Sequence, residues 1–161
     1  MVNDQQEKFM LMAIELGRKT AFDDKAGGPF GCVIVKDGKV IGQGANRVLA
    51  ENDPTCHGEI TAIRSACHAL GTHELQGCIL FSSAEPCPMC YGAAWWARIK
   101  KIYYAGTIGD AKEYGNFDDV HLYQAMKSPG QDRMLPCIEL LRKEMLPIWK
   151  EFDQLNDRPQ Y

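Results

Sequence analysis

Three side chains of the types that bind transition metals lie in two short segments of this sequence. His57 lies in PTCHGEIT, and Cys87 and Cys90 lie in PCPMC further along the chain. One imidazole and two thiolates are ligands that suit Zn²⁺. Three protein ligands leave the fourth tetrahedral position open to water, which is typical of a catalytic zinc and not of a structural one. The residue types and their order therefore predict a catalytic zinc ion held by His57, Cys87 and Cys90.

Two neighbours of His57 have different predicted roles. Glu59 follows His57 after one glycine, so its carboxylate is expected to lie beside the metal and to take and give protons near the water. Cys56 adjoins His57, and adjacent residues at the start of a helix point in different directions, which makes binding of one ion by both awkward. We therefore predict that Glu59 is the acid–base group and that Cys56 does not bind the metal.

A protein of another class could also use these residues. A non-catalytic binding module could employ the C-x-x-C pair and a histidine to hold a structural zinc. Such a module needs neither an open coordination position nor a nearby carboxylate. The open position and Glu59 therefore favour an enzyme.

The metal-binding segments stand at the starts of two predicted helices. Asp37-Gly38 is typical of a hairpin turn between two strands. Residues 137–156 are predicted to be helical, with a short strand CIEL as the alternative for their first residues. Apolar spacing and apolar runs predict the other elements: helices at residues 5–17, HGEITAIRSACHAL and YGAAWWARI, and strands at FGCVIV, VIGQGANRV, CILFSSA and KKIYYAG.

The order of these elements predicts the fold. A helix, a hairpin, a helix, a strand, a helix and a strand follow one another, which is typical of an α/β protein. We expect a three-layer α/β/α sandwich, in which helices cover both faces of one sheet. The length of 161 residues suits one domain over residues 1–161 with one hydrophobic core.

Composition and charge limit the expected binding partners and the expected cellular compartment of the protein. The net charge is −3 and the isoelectric point is about 5.8, so nucleic acid is not an expected partner, because binding to phosphates needs a basic face. No apolar run approaches the roughly 20 residues of a membrane span, so a membrane is not expected either. The seven cysteines are an odd number, and the polar N-terminal stretch lacks the features of an export signal. Both observations favour free thiols in a cytoplasmic protein.

Longer segments add a resemblance to a known family. The pattern H-x-E…P-C-x-x-C is the signature of zinc nucleobase deaminases. GGPFGCVIV, NDPTCHGEITAIR, SAEPCPMCYGAAWWAR and GNFDD resemble the bacterial guanine deaminases of the cytidine-deaminase fold, from about residue 5 to the last residue. The resemblance implies a five-stranded mixed sheet, one zinc ion per chain, a homodimer, and hydrolysis of guanine to xanthine and ammonia. The zinc pattern specifies only the superfamily, whereas GNFDD and the terminal tyrosine favour guanine.

The resemblance also assigns roles to residues outside the zinc pattern. Asn46 matches an asparagine that hydrogen-bonds the purine, and Phe30 and Trp96 match aromatic residues near the base. Asp119 matches a carboxylate that contacts the guanine edge and assists proton transfer to the leaving amine. Trp95 and Asp118 are the neighbouring alternatives to Trp96 and Asp119.

The C-terminal segment has a role implied by the same resemblance. Tyr161 matches a terminal tyrosine that closes the active site of the neighbouring subunit. Residues 150–161 would then be exchanged between the two subunits of a homodimer. A tyrosine cap leaves little room for ribose, which favours a free base over a nucleoside. The alternative substrates are guanosine, cytosine and the aminotriazine ammeline, and a tRNA adenosine deaminase is a further alternative.

One residue of the zinc pattern departs from the family it resembles. The family usually has alanine or valine between the histidine and the glutamate, whereas this chain has Gly58. Glycine costs up to about 1 kcal/mol in a helix interior relative to alanine, and less in the first turn. The identity of the ligands is unaffected, but the sequence offers no functional reason for this glycine.

Overall fold

The computed structural model describes residues 3–156 and residue 158, and the chain divides into two compact units, Met1–Leu122 and Tyr123–Tyr161. The elements in chain order are α1 (Asp4–Phe22), β1 (Gly31–Lys36), β2 (Lys39–Ala45), α2 (Val48–Glu51), α3 (Gly58–Leu70), β3 (Ile79–Ala84), α4 (Pro88–Trp96), β4 (Lys101–Gly106), α5 (Ile108–Gly115), α6 (Asp119–Ala125), a 3₁₀ helix (Gly130–Asp132) and α7 (Arg142–Asp153). The prediction of one domain over residues 1–161 stays a prediction.

One mixed sheet organises the first unit. Its strand order is β2-β1-β3-β4, with β1 antiparallel to both β2 and β3 and with β3 parallel to β4. Asp37 and Gly38 both have positive φ, at 49° and 75°, which is the backbone of a tight hairpin turn and confirms the predicted hairpin. The helix α4 connects the parallel pair, so the start of α4 lies next to the end of β3.

The sheet has four strands in the described part of the chain, so the expected five are not found there. The segment CIEL, the alternative strand, is neither helix nor strand. Ile138 and Leu140 within it are exposed. A strand needs a ladder of backbone hydrogen bonds to a neighbouring strand, whereas the N–H of Cys137 donates to the carbonyl of Gly130 at 2.9 Å in a local turn.

Apolar side chains cover both faces of the sheet. On one face Phe9 and Ala13 of α1 pack with Val33, Val35 and Phe81. Successive strand residues point to opposite faces, so Cys32, Ile34 and Leu80 belong to a second cluster with residues of α3 and α4. The helices that begin at the predicted zinc ligands are therefore fixed by the core of the first unit.

The helix α3 agrees closely with its sequence pattern. It runs over Gly58–Leu70 and ends at Gly71, which has φ 65° and ψ 28°. Glycine adopts this left-handed conformation without a steric cost and is a common C-terminal stop. Its buried residues include Ala62, Ile63 and Ala66, which belong to the core cluster on one face of the sheet.

The second unit is described separately. Its main element is α7, which contains Pro147. Tyr161 lies outside the described residues, so its predicted role is not tested. None of the helices in the described ranges combines the length and the apolar character that crossing a bilayer requires.

Candidate zinc site

The three predicted ligands come from the first residues of two helices. His57 is the N-cap residue of α3, and Cys87 is the N-cap residue of α4. Cys90 lies in the first turn of α4, after Pro88, and proline is well suited to the first helical position because its φ is already helical. The positive end of the helix dipole stabilises thiolates placed there. Local sequence and helix geometry together aim these side chains at one point.

The geometry of the three donor atoms fits a zinc ion. The Sγ atoms of Cys87 and Cys90 each lie 3.6 Å from Nδ1 of His57. All three donor atoms lie within 4.8 Å of one another. Zn–S and Zn–N bonds of about 2.3 and 2.0 Å at a tetrahedral angle give an S···N separation of about 3.5 Å. Two thiols and one imidazole at this spacing are thus a suitable zinc-binding set with one coordination position open.

The same three groups shift one another's pKa. The pKa of Cys87 is lowered to about 4, first because the thiol of Cys90 hydrogen-bonds to it. The pKa of Cys90 is raised, first by that same hydrogen bond and then by burial. The pKa of His57 is raised, mainly by its hydrogen bond with Cys87. A divalent cation between these groups would displace the protons that they share.

Glu59 lies in a buried position beside the ligands. Glu59 is only 5% exposed, and its Oε1 accepts a hydrogen bond of 3.1 Å from Oγ of Ser82 on β3. Burial raises the pKa of the carboxyl group, while hydrogen bonds from Cys90 and Ser82 act in the opposite direction. A carboxyl group with a raised pKa, held next to a metal site, is suited to taking and releasing protons.

Asn46 and Phe30 are held together at the ends of β2 and β1. The backbone N–H of Asn46 donates to the carbonyl of Phe30 at 2.8 Å, and the hydroxyl of Thr20 donates to the carbonyl of Asn46 at 2.6 Å. The side-chain Oδ1 of Asn46 accepts from the backbone N–H of Val48 at 3.2 Å. The amide NH₂ group of this buried residue is therefore the part that can donate to a ligand. The Phe30 ring packs edge-on against Phe117, with ring centroids 4.8 Å apart.

The two adjacent acids of GNFDD differ in their surroundings. The side chain of Asp118 is 64% exposed and lies 3.6 Å from the amine of Lys112 and 3.5 Å from Nε2 of His121. Asp119 is half-buried at the start of α6. Burial raises its pKa first, the negative charge of Cys87 raises it further, and His57 lowers it. Asp119 is therefore the acid whose pKa responds to the zinc-binding groups, and its catalytic role stays a prediction.

Other predicted residues lie apart from this cluster or play no part in it. Trp96 ends α4 and is 56% exposed, with the guanidinium of Arg98 at 5.7 Å from its ring centroid. It is about 9 Å along the helix from Cys90, so its role near the base stays a prediction. The thiol of Cys56 donates to Oδ2 of Asp53 at 3.3 Å, which agrees with its predicted absence from the ligand set.

Sequence reasoning missed two residues of this site. Ser82 lies fully buried in β3, and its hydroxyl is directed at Glu59. Two adjacent serines at the end of an apolar strand were the signal, because a buried hydroxyl needs a partner. Phe117 belongs to the same GNFDD segment as Asp119, but its contact with Phe30 joins distant parts of the chain, and no local pattern predicts such a contact.

The chain is similar to known proteins over the segments that contain the predicted zinc ligands. The family model for the cytidine and deoxycytidylate deaminase zinc-binding region matches residues 3–106, which include the three ligands and Glu59. A guanine deaminase of Bacillus subtilis (strain 168) is 46% identical over 135 residues, which are 84% of this chain and 86% of that protein. A tRNA-specific adenosine deaminase of Agrobacterium fabrum is 42% identical over 113 residues, which are 69% of this chain and 73% of that protein.

A solved structure is similar over a greater length. The X-ray structure of guanine deaminase from Bacillus subtilis has a TM-score of 0.91 with this chain at 41% identity, and covers 99% of both chains. The likeness therefore includes the mixed sheet, the two ligand-bearing helix starts and the residues that follow them.

Proposed function

Because the chain belongs to the zinc-binding cytidine and deoxycytidylate deaminase family, we propose that it catalyses the hydrolysis of guanine to xanthine and ammonia. We choose guanine as the substrate because of the length over which the chain resembles guanine deaminases. Similarity to a guanine deaminase structure extends over nearly the whole chain, whereas the tRNA deaminase covers about two thirds of it. We therefore take the residues beyond the shared zinc-binding region to select the substrate.

The residues of the site divide the chemistry between them. A zinc ion held by His57, Cys87 and Cys90 would supply acidified water and a positive charge opposite the developing oxyanion. Glu59 takes the proton of the attacking water and delivers it to N3 of the ring while the water oxygen adds to C2. Breaking the C2–N bond needs a second proton on the leaving amine. That proton comes from the hydroxyl group now on C2, and Glu59 with Asp119 carries it to the amine as the C2=O bond forms. One water is consumed and one ammonia is released.

Other residues hold the base in place for this reaction. The NH₂ group of Asn46 donates to an acceptor of the purine, and the ring of Phe30, supported by Phe117, packs against the base. Tyr161 and Trp96 are proposed to complete the enclosure. For Trp96, which is exposed in the single chain, that role requires the neighbouring subunit.

The proposal includes a homodimer with exchanged C-terminal segments. The described part of the second unit contains many exposed apolar residues, among them Met134, Leu135, Ile138 and Leu140. The strand β4 ends the sheet of the first unit, and an open strand edge readily pairs with another chain. We propose that CIEL of the neighbouring subunit adds the fifth strand there, making the three-layer sandwich complete, and that residues 150–161 cover the neighbour's site. The seven free cysteines support a cytoplasmic location.

A substrate panel tests the proposal. Ammonia release is measured with guanine, guanosine, cytosine, adenine and ammeline, together with zinc content per chain. We expect one zinc per chain and the highest kcat/KM with guanine. A higher kcat/KM with another member of the panel would replace guanine as the substrate. One bound zinc without ammonia release from any compound would identify a binding module instead of an enzyme.

A further inference from the structure

Gly58 separates the ligand His57 from the proton-transfer residue Glu59, and it contacts the opposite end of the site. A Cβ atom placed on Gly58 would lie 2.8 Å from the carbonyl oxygen of Phe30 and 3.2 Å from its carbonyl carbon. Gly58 begins α3 and is not among the glycines with positive φ. The backbone conformation therefore does not require glycine at this position, whereas the close approach of the Phe30 carbonyl does.

The Phe30 carbonyl cannot easily move away from an added methyl group. On the other side of this segment, a Cβ atom on Gly31 would lie 2.1 Å from the carbonyl oxygen of Ala13, and one on Gly17 would lie 2.5 Å from that of Pro29. The backbone N–H of Gly31 also donates to Oγ of Ser83 at 2.9 Å. The start of β1 is thus packed between α1 and the first turn of α3 with no spare space on either side.

The same carbonyl connects this packing to the base-binding residues. It accepts the backbone hydrogen bond of Asn46 at 2.8 Å. The ring of the same residue, Phe30, contacts Phe117. A shift of the Phe30 backbone would therefore displace both the ring and the asparagine that the proposed function places against the purine.

We propose that Gly58 is a positioning residue that sets the distance between the zinc-and-Glu59 end of the site and the Phe30–Asn46 end. Its missing side chain lets the two ends approach by the thickness of a methyl group, which brings the base within reach of the reacting water. The proposal rests on the proposed function, because it takes Phe30 and Asn46 to bind the base.

The variant Gly58→Ala tests this role, with Gly92→Ala as a matched control. Gly92 lies in the ligand-bearing helix α4, and a Cβ atom there would meet nothing within 4 Å. We expect Gly58→Ala to keep one zinc per chain and to lower kcat/KM for guanine by roughly tenfold to a hundredfold, mainly through KM. Gly92→Ala should retain the kinetic constants of the unsubstituted protein.

Two further measurements separate positioning from folding. Equilibrium dialysis of labelled guanine in a Glu59→Gln background reports binding without turnover, and its Kd should rise when Gly58→Ala is added. The variant Gly28→Ala perturbs the same ring from another side, since its Cβ atom would lie 2.6 Å from Cε2 of Phe30 and 2.7 Å from Cζ of Phe117. It should also raise KM and retain zinc.

The outcomes distinguish this inference from the proposed function. Unsubstituted protein without activity on guanine would overturn the proposed function. Active protein whose KM is unchanged in Gly58→Ala or in Gly28→Ala would overturn only the positioning role. Loss of zinc or of the fold in Gly58→Ala would also overturn it, because Gly58 would then serve the metal site or folding and not the spacing of the base.

Discussion

The two units of the chain, which meet at position 122, differ in how far their apolar side chains are buried. In the first unit Ile34, Leu80 and Phe81 are fully buried on the two faces of a mixed sheet. In the described residues of the second unit, Leu135, Ile138 and Leu140 are exposed and α7 has no buried residue. The first unit has the core that a precise metal site needs, whereas the second has the surface expected of a segment that packs on a partner. The predicted zinc ligands lie in the first unit, and the proposed exchange of C-terminal segments would use the exposed residues of the second.

The largest effect is expected from a variant that stops proton transfer in the first unit and leaves the zinc ligands intact. Glu59→Ala removes the group that moves the first proton and shares in moving the second, so we expect kcat to fall by a factor of at least about 10³. Zinc content should stay at one per chain, because the three ligands are intact. Steady-state ammonia release and metal analysis check the two halves of this prediction. A near-normal rate would show that the proton moves by another route.

The second effect tests the region after position 122. Deleting the last four residues removes Tyr161, and we expect kcat/KM for guanine to fall by roughly tenfold to a hundredfold because the base is less enclosed. Zinc content and the proposed dimer should be unchanged. Kinetics combined with light scattering provide the measurement. Unchanged kinetics would remove the C-terminus from the site and leave the first unit sufficient by itself.

A smaller effect is expected at the buried serine of β3. Ser82→Ala leaves Oε1 of Glu59 without the hydrogen bond that orients it, so kcat should fall by roughly tenfold while KM changes little. Ser83→Ala is the neighbouring comparison, since Ser83 contacts the Pro29–Gly31 segment and not the carboxylate. If the two variants lowered kcat equally, the bond from Ser82 to Glu59 would have no special part in proton transfer.

The smallest effect is expected at Cys56. Serine keeps a hydroxyl donor for Asp53, so Cys56→Ser should retain one zinc per chain and activity within about twofold. Cys87→Ser is the contrasting variant, because it removes a ligand and should lose most of the metal. Zinc analysis of both proteins after dialysis is the measurement. Loss of zinc from Cys56→Ser would make this thiol a fourth ligand.

Short sequence patterns predicted the features that depend only on neighbouring residues, such as helix starts and turns. His57, Glu59, Cys87 and Cys90 could be identified from the sequence because two helix starts present them, and helix starts have recognisable sequences. The bounds of α3 and the Asp37-Gly38 hairpin were predictable for the same reason. Family membership and the zinc-binding region are confirmed by the comparisons.

Contacts between distant segments could not be predicted in this way. The reason for Gly58 is the carbonyl of Phe30 packed against it, and Phe30 lies just before β1, far from α3 in the sequence. Ser82 required knowledge of which face of β3 turns towards α3. The fifth strand was implied by resemblance alone, and pairing of β4 with another segment depends on a partner that one chain does not contain.

The starts of α3 and α4 have a consequence for the protein under changing metal supply. His57 and Cys87 occupy the N-cap positions, and neither makes a side-chain capping bond among the described residues. An ion bound there would connect the two helix N-termini that lack a side-chain cap. It would bind the folded chain far more tightly than the unfolded chain. By mass action, the free energy of unfolding then increases with the logarithm of free zinc concentration. Zinc availability would thus control how much folded protein accumulates as well as how fast each molecule turns over.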